Sequence, residues 1–281
     1  MAEDDDTGPV AQGREFVWTN ADFTRIKGLI YKHAGISLHD GKHAMVYSRV
    51  SRRLRETGHN SFKSYLDVLE QQGSSPEWQE FVNALTTNLT SFFRENHHFI
   101  ELDKLIRSKP PTHEWKVWCS AASTGEEPYS IAITFAEALG SEGRFRIHAS
   151  DIDTKVLNTA ARGVYKLEGM KGLSTAQMQK YFLKGKGANA GFARVKPELQ
   201  RHIDFFSLNL IHDNWPLKEQ FDVVFCRNVM IYFDAATQRQ VLARIHRVMK
   251  DHGTLFVGHA ENFSDARTLF ALRGKTVYEK V

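Results

Sequence analysis

Two glutamates follow a glycine in the stretch Val117-Trp118-Cys119-Ser120-Ala121-Ala122-Ser123-Thr124-Gly125-Glu126-Glu127-Pro128-Tyr129-Ser130. An apolar strand there runs into a small-residue turn and then a Pro-led helix, the geometry of a nucleotide pocket. About twenty residues after the turn, Arg146-Ile147-His148-Ala149-Ser150-Asp151-Ile152-Asp153 reads as a second strand ending in a carboxylate, placed where such folds hold a ribose. The two segments together point to a bound adenosine. G-x-G-x-x-G is missing, and Gly125-Glu126-Glu127 stands where a pyrophosphate needs bare backbone N–H groups. Carboxylates repel a phosphate and suit a cation. S-adenosylmethionine, with its sulfonium and ammonium, therefore fits better than NAD.

Further polar groups fall at strand ends. Asn209 and Leu210 follow the strand His202 to Ser207, where an amide and an apolar side chain could read an adenine at its edge and face. Arg227-Asn228 follows Phe221 to Cys226, at the carboxyl edge where ligands of open α/β sheets collect. Tyr232 points back toward the same crevice, and the polar run Thr86 to Glu95, with Asn88, Thr90 and Arg94, leads into it. Singly, each has a structural reading: Asn209 as a turn cap, Thr90 as a helix cap, Arg94 in a surface ion pair.

These positions must be carried by an α/β sheet. Strand-like runs at Lys116 to Cys119, Phe145 to Ser150, Ile203 to Ser207, Phe221 to Cys226, Thr254 to Gly258 and Thr276 to Glu279 alternate with helices at Pro128 to Leu139, Thr154 to Arg162 and Thr237 to Lys250. The last strands close as a hairpin with one strand antiparallel to the rest. Between about 165 and 200 the alternation is interrupted by a helix at Ser174 to Leu183. The loop Gly185 to Gly191 then joins short strands at Tyr181 to Leu183 and Phe192 to Val195. Upstream, helices at Asp22 to His33, Ala44 to Thr57, Ser61 to Gln71 and Pro76 to Leu85 make a small bundle. The expected division is a disordered tail over 1–18, a helical domain over 19–85 and a sheet domain over 86–281.

With 281 residues, 42% hydrophobic and 25% charged, the composition is that of a globular protein. No apolar run approaches the roughly 18 residues of a membrane span, and the acidic start is the reverse of a secretory signal, so a cytoplasmic protein is expected. Cys119 and Cys226 lie inside apolar strands, as buried small hydrophobes rather than disulfide or zinc partners. His97 and His98 are expected to point apart on a helix, and His39 and His43 have helical spacing but no third ligand, so no metal site is expected.

The net charge of +4 is unevenly spread, and the helical region holds a basic excess. In its second helix Val46, Val50 and Leu54 form an apolar line while Arg49, Arg52, Arg53 and Arg55 spread over the other face. Glu56 is the one acid beside them on that helix, so the expectation is unpaired like charges awaiting an acidic partner.

Four long strings resemble the chemotaxis receptor methyltransferases known as CheR: Asn83 to Glu95, Ala121 to Ala132, Ser150 to Asp153, and Phe225-Cys226-Arg227-Asn228-Val229-Met230-Ile231-Tyr232-Phe233. The resemblance runs from about residue 20 to the last strand. It implies a Rossmann-like class I methyltransferase sheet with a small inserted β-subdomain, preceded by an all-α N-terminal domain. It also implies that Asn88, Thr90, Arg94, Glu127, Asp151, Asn209, Leu210, Arg227 and Asn228 line an S-adenosylmethionine site, with Arg94 and Tyr232 nearest the transferred methyl. Arg49, Arg52, Arg53 and Arg55 would face the cytoplasmic helices of transmembrane chemoreceptors, and the hairpin around Gly185 to Gly191 would hold a receptor's C-terminal peptide.

The implied reaction esterifies a glutamate side chain and releases S-adenosylhomocysteine. A glutamate with a pKa of about 4.3 is already ionised at neutral pH, so no general base is needed. A nucleic-acid methyltransferase is a rival, because the basic helices could meet phosphates. Arg227-Asn228-Val229-Met230, however, lacks the proline-bearing Asn/Asp-Pro-Pro-aromatic segment that amino-group methylation of bases commonly uses. A small-molecule methyltransferase and a non-enzymatic scaffold on the same fold are two further rivals.

Overall fold

The chain divides between Thr87 and Asn88 into two units in the computed structural model, which describes residues 14–73, 75–140, 143–263 and 267–281. The first unit carries α1 (Asn20–Ala34), α2 (His43–Thr57), α3 (Phe62–Gln71) and α4 (Pro76–Leu85). Local chemistry sets their ends. Thr19 and Asp22 form a reciprocal capping box at α1, the hydroxyls of Ser61 and Ser75 accept main-chain N–H bonds at α3 and α4, and Gly35 and Gly58 close α1 and α2 in left-handed conformation. Each helix buries one face, through Phe23, Ile26 and Ile30 on α1, Val46, Val50 and Leu54 on α2, Tyr65, Leu66 and Leu69 on α3, and Phe81, Val82 and Leu85 on α4. Each such side chain contributes roughly 1.5–3 kcal/mol by leaving water. Of the tail expected over 1–18, residues 1–13 lie outside the described residues. Trp18 is buried against Phe62, with ring centroids 4.6 Å apart.

The second unit begins with α5 (His97–Arg107) and continues through β1 (Trp115–Cys119), α6 (Glu126–Leu139), β2 (Phe145–Asp151) and α7 (Thr154–Arg162). Next come β3 (Val164–Lys166), α8 (Thr175–Tyr181), β4 (Phe182–Lys184), β5 (Phe192–Val195) and α9 (Pro197–Gln200). The unit ends with β6 (Ile203–Ser207), β7 (Phe221–Cys226), α10 (Ala235–Val248), β8 (Met249–Val257), β9 (Phe270–Gly274) and β10 (Val277–Lys280).

Seven strands form a sheet in the order β6-β2-β1-β7-β8-β10-β9. The pairs among β6, β2, β1, β7 and β8 are parallel, while β10 runs antiparallel to both β8 and β9. From β1 the chain first builds outward through β2 to β6, then returns to place β7 on the other side of β1. The strand order therefore reverses at β1/β7, where Cys119 pairs with Phe225, and a ligand crevice belongs at their carboxyl ends. One core cluster, including Val117, Ile131, Ile147 and Phe225, packs one side of the sheet, and another, including Trp118, Val224, Val241 and Leu255, packs the other.

Strands β3, β5 and β4 form a separate antiparallel sheet in that order. The expected hairpin of β4 and β5 is present, and β3 joins it as a strand the sequence reading does not anticipate. Strand β9 is likewise an addition to the expected elements, and the helix expected at His97 and His98 runs on to Arg107 as α5. The α/β sheet, the inserted small sheet and the all-α unit are the fold class expected from the resemblance.

Candidate functional site

Every strand that ends at the switch point delivers a polar group there. After β1 the turn passes through Ser123, at φ 48°, and Gly125, at φ 100°. A Cβ on Gly125 would lie 2.6 Å from the Tyr165 hydroxyl and 2.9 Å from the Ala160 Cβ, so the turn has room only for glycine. The Tyr165 hydroxyl, on β3 of the small sheet, donates to the Thr124 carbonyl at 2.8 Å.

Asp151, at the end of β2, is buried and accepts from the Ser123 N–H at 2.8 Å and the Asp153 N–H at 2.9 Å. Burial pushes its carboxyl up to about 6, against the pull of those N–H groups. Asp153 caps α7 through the Lys155 N–H and accepts from the Asn88 amide at 2.7 Å, while the Ser123 hydroxyl donates to the Asn88 carbonyl at 3.0 Å. Asn88, Ser123, Asp151 and Asp153 thus form one connected group.

A second group surrounds Arg227. Its guanidinium is fully buried, donates to Glu127 Oε2 at 2.7 Å, lies 3.4 Å from Glu95 Oε2, donates to the Arg94 carbonyl and sits over the Phe99 ring. Glu127 also accepts from the Cys119 thiol at 3.2 Å. Burial holds the Glu127 carboxyl above its ordinary range, and Arg227 opposes that rise. The cation that Glu127 meets is thus Arg227 of the same chain, a pairing the Gly-Glu-Glu pattern does not reveal. Asn228, at φ 57°, donates from its amide to Glu95 Oε1 at 3.3 Å. The Arg94 guanidinium is half-buried and donates to the Leu89 carbonyl at 2.8 Å.

Other expected residues are less directly joined. Thr90 is half-buried on the segment between Asn88 and Arg94. Asn209 follows β6 and accepts from the Ile211 N–H at 3.2 Å, forming a turn, and Leu210 is buried in the core cluster that holds Trp118. The Leu208 N–H donates to the Asp151 carbonyl at 3.0 Å, so this turn leaves the sheet beside Asp151. Tyr232 is half-buried in a single 3-10 turn, Met230–Tyr232, that follows Asn228. Phe93, Glu95, Ser123 and Asn228, all on site segments, have positive φ, which concentrates backbone strain where the polar groups converge.

Glu95, Asp153 and Glu261 bond to these groups, and sequence reasoning did not single them out. The N-cap position of Asp153 before α7 was the available signal. Glu261 has none in the local pattern, although its buried carboxylate receives main-chain N–H groups from the loop after β7.

Two expectations require correction. The rings of His97 and His98 do not point apart but lie 4.1 Å from each other, and with Glu95 they bring three potential ligand atoms within 4.8 Å. The Glu95 carboxylate is already engaged by Arg227 and Asn228, and a divalent cation there would face the buried guanidinium. Burial and the Arg227 charge push His98 down to about 3, so its ring is neutral.

The arginines of α2 are also not an unpaired row. Arg53 is buried and forks onto Glu77 at 2.9 and 2.6 Å, with Glu56 and the Tyr65 hydroxyl completing the group, and its bond to Glu77 raises its already high pKa. Arg49 donates to the Thr86 carbonyl at 2.6 Å. Arg52 and Arg55 are exposed, in loose pairs with Glu56 at 2.9 Å and Glu15 at 3.5 Å.

Comparison with known proteins covers both units. Residues 21–86 match the family model described as CheR methyltransferase, all-alpha domain, and residues 88–278 match CheR methyltransferase, SAM binding domain. A chemotaxis protein methyltransferase of Salmonella typhimurium is 52% identical over 261 residues, covering 92% of this chain and 90% of that protein. One of Escherichia coli is 51% identical, covering 92% and 91%. Chemotaxis protein methyltransferase 2 of Pseudomonas aeruginosa is 47% identical, covering 96% of each chain.

Proposed function

The chain belongs to the CheR methyltransferase family, and from that premise we propose that it methylates glutamate side chains of chemoreceptors with S-adenosylmethionine as donor. The observation that carries the reading is the charge balance at the β1/β7 switch point. Glu95, Glu127, Asp151 and Asp153 stand around it against Arg94 and Arg227. An excess of carboxylates around a nucleotide-type crevice fits a ligand with a sulfonium and an ammonium, and opposes a dinucleotide.

S-adenosylmethionine, when bound, supplies a methyl carbon made electrophilic by a positively charged sulfur. On this reading Asp151 receives the ribose hydroxyls, Asn209 and Leu210 flank the adenine, and Asn88, Thr90, Glu127, Arg227 and Asn228 hold the remainder. Arg94 and Tyr232 face the reacting carbon. Arg94 aligns the incoming carboxylate by charge-assisted hydrogen bonding, so that one oxygen lone pair faces the methyl opposite the departing sulfur. Attack by that oxygen would form a C–O bond as the donor's C–S bond broke, with the electron pair returning to sulfur. A carboxylate and a sulfonium become two neutral groups with no proton transferred, which accounts for a site built without a general base. Water exclusion strengthens the attraction between the opposite charges as they approach.

Receptor recognition falls to α2. Arg53 is engaged inside its own helical unit, so the exposed Arg52 and Arg55 are the charges available to acidic receptor helices. The Arg52→Glu, Arg55→Glu double variant is expected to raise the KM for receptor roughly tenfold at low salt and less at high salt, with cofactor affinity unchanged. Unaltered turnover at limiting receptor would remove α2 from recognition. The β4–β5 hairpin offers its sheet edge to an extended receptor peptide, and the protein acts on the cytoplasmic side, where receptor helices are accessible. Among the described residues no helix is long and apolar enough to cross a membrane.

Asp151 gives the site a pH dependence. Its folded pKa, about 6, lies above its ordinary 3.8. Between those values the folded state binds more protons, so this group's contribution to stability falls as pH rises through that window. Cofactor recognition by the ionised form runs the other way. Affinity measured by calorimetry is expected to fall about tenfold between pH 7.5 and 5, and Asp151→Asn is expected to be weak and nearly flat over the same range. The same slope in both proteins would assign the effect to another group.

The reading as a whole is tested by radiolabelled methyl transfer to membranes containing chemoreceptors. The product should release methanol in base, the mark of a carboxyl ester. Base-stable label, or none, would overturn it.

A further inference from the structure

We propose that Glu261 is a positioning residue for methyl transfer: its buried carboxylate fixes the loop that carries Arg227, Asn228 and Tyr232 without touching either substrate. The inference rests on the methyltransferase reading of that loop.

Glu261 lies just beyond β8 and is only 4% exposed. Its Oε2 accepts from the Asn228 N–H at 2.9 Å and from the Gly258 N–H, and its Oε1 accepts from the Val229 N–H at 3.0 Å and the Met230 N–H at 2.8 Å. One carboxylate thus gathers three consecutive main-chain donors of the loop after β7 and a fourth from the end of β8. The close approach is built into Gly258. A Cβ there would lie 2.4 Å from the Asn228 amide nitrogen and 2.8 Å from both the Asn228 main-chain nitrogen and Glu261 Oε2.

The loop needs such a clamp. Asn228 sits at φ 57°, a left-handed conformation that asparagine tolerates better than other non-glycine side chains, and consecutive N–H groups turned to one side leave donors that burial would otherwise strand. A carboxylate satisfies them with charge-assisted bonds, as an anion fills a main-chain nest. Immediately before the clamped residues comes Arg227, and the last of them, Met230, opens the turn that ends in Tyr232. Burial raises the Glu261 carboxyl, and the main-chain N–H groups pull it back toward the ionised form that accepts from all four. The side chain is therefore structural in its contacts and catalytic in its consequence.

Glu261→Gln keeps the shape but turns an NH2 toward N–H donors, so the loop must shift. A shift on the order of 1 Å at the reacting groups is expected to lower kcat about 100-fold while the receptor KM stays within about twofold. The control is Val241→Ala, a truncation in the core beneath the same face of the sheet, assayed at temperatures equally far below each variant's own Tm. It should retain kcat within about twofold. Hydrogen exchange of the Asn228 and Val229 amides should be slow in the wild-type protein and at least about tenfold faster in Glu261→Gln. If Glu261→Gln turns over as fast as Val241→Ala, or if those two amides exchange in the wild type as freely as exposed loop amides, the positioning role is overturned. Should Glu261→Gln not fold, Glu261→Asp, which keeps the charge on a shorter arm, is assayed instead, and a kcat equal to wild type would overturn the role. A wild-type protein that transfers no methyl would instead sink the methyltransferase reading, while the exchange measurement would still report on the clamp.

Discussion

Arg227→Ala is expected to lower stability by about 3–5 kcal/mol and to bring cofactor affinity below detection. The guanidinium is fully buried between Glu127, at 2.7 Å, and Glu95, at 3.4 Å, and it also holds the Arg94 carbonyl. Its removal leaves two carboxylates near one another in a poorly hydrated place, where neither can stay ionised cheaply. The sign of the pH effect follows. Glu127 already titrates above its ordinary value, and loss of Arg227 raises it further. The folded variant then binds more protons than the unfolded chain over the mildly acid range, so the variant regains stability as pH falls toward 5.5 and loses it as pH rises. Thermal denaturation across pH, with calorimetric titration of the cofactor, measures both effects. Equal Tm values for variant and wild type at neutral pH would show that the pair is solvated and not the keystone inferred from its burial.

Arg94→Ala should separate catalysis from folding in a way Arg227→Ala cannot. The main-chain carbonyl of Arg94, not its side chain, receives the bond from Arg227, and that carbonyl survives the substitution. The side chain itself is half-buried and bonds only to the Leu89 carbonyl among its hydrogen bonds in the described residues. Methyl transfer should therefore fall by about 100-fold to 1,000-fold, with Tm nearly unchanged and cofactor affinity reduced only modestly. The guanidinium lies close enough to Glu127 to help keep that carboxylate ionised, which accounts for a small rather than a zero effect on binding. Single-turnover transfer to receptor membranes measures the chemical step directly. A variant that transfers at the wild-type rate would remove Arg94 from alignment of the acceptor.

How much of this was legible in the sequence depended on how local its cause is. The Gly125 turn, the carboxylate ending β2 and the parallel alternation are written in adjacent residues, because turn sterics and strand period act over a few positions. Strands β3 and β9 are short and mostly exposed, each burying a single residue, Tyr165 and Phe270, so they carry too little alternation to be seen. Their formation is decided by partners supplied elsewhere in the chain. Helix α5 is different, since Phe99, Leu102 and Ile106 extend, in open helical spacing, the helix expected at His97 and His98. Long-range pairing accounts for the remaining gaps. Arg53 finds Glu77 on α4, and Asn228 meets Glu261 across 33 positions, and no periodicity on α2 or β7 announces either partner. For that reason four arginines on one helix read as a uniform basic face, although one of them is a buried structural ion.

The bond from the Tyr165 hydroxyl to the Thr124 carbonyl ties the small sheet to the turn before α6, and the same hydroxyl fills the space above Gly125. On the proposed reading, an occupant of the small sheet's edge that moves β3 would alter the shape of this turn, and a cofactor that favours one shape of the turn would favour one position of β3. Free energy obliges these influences to be equal: whatever factor the edge ligand contributes to cofactor affinity, the cofactor returns to the ligand. A receptor peptide held at that edge would then be more than a tether raising local concentration. It would report through a single tyrosine whether the methyl donor is in place.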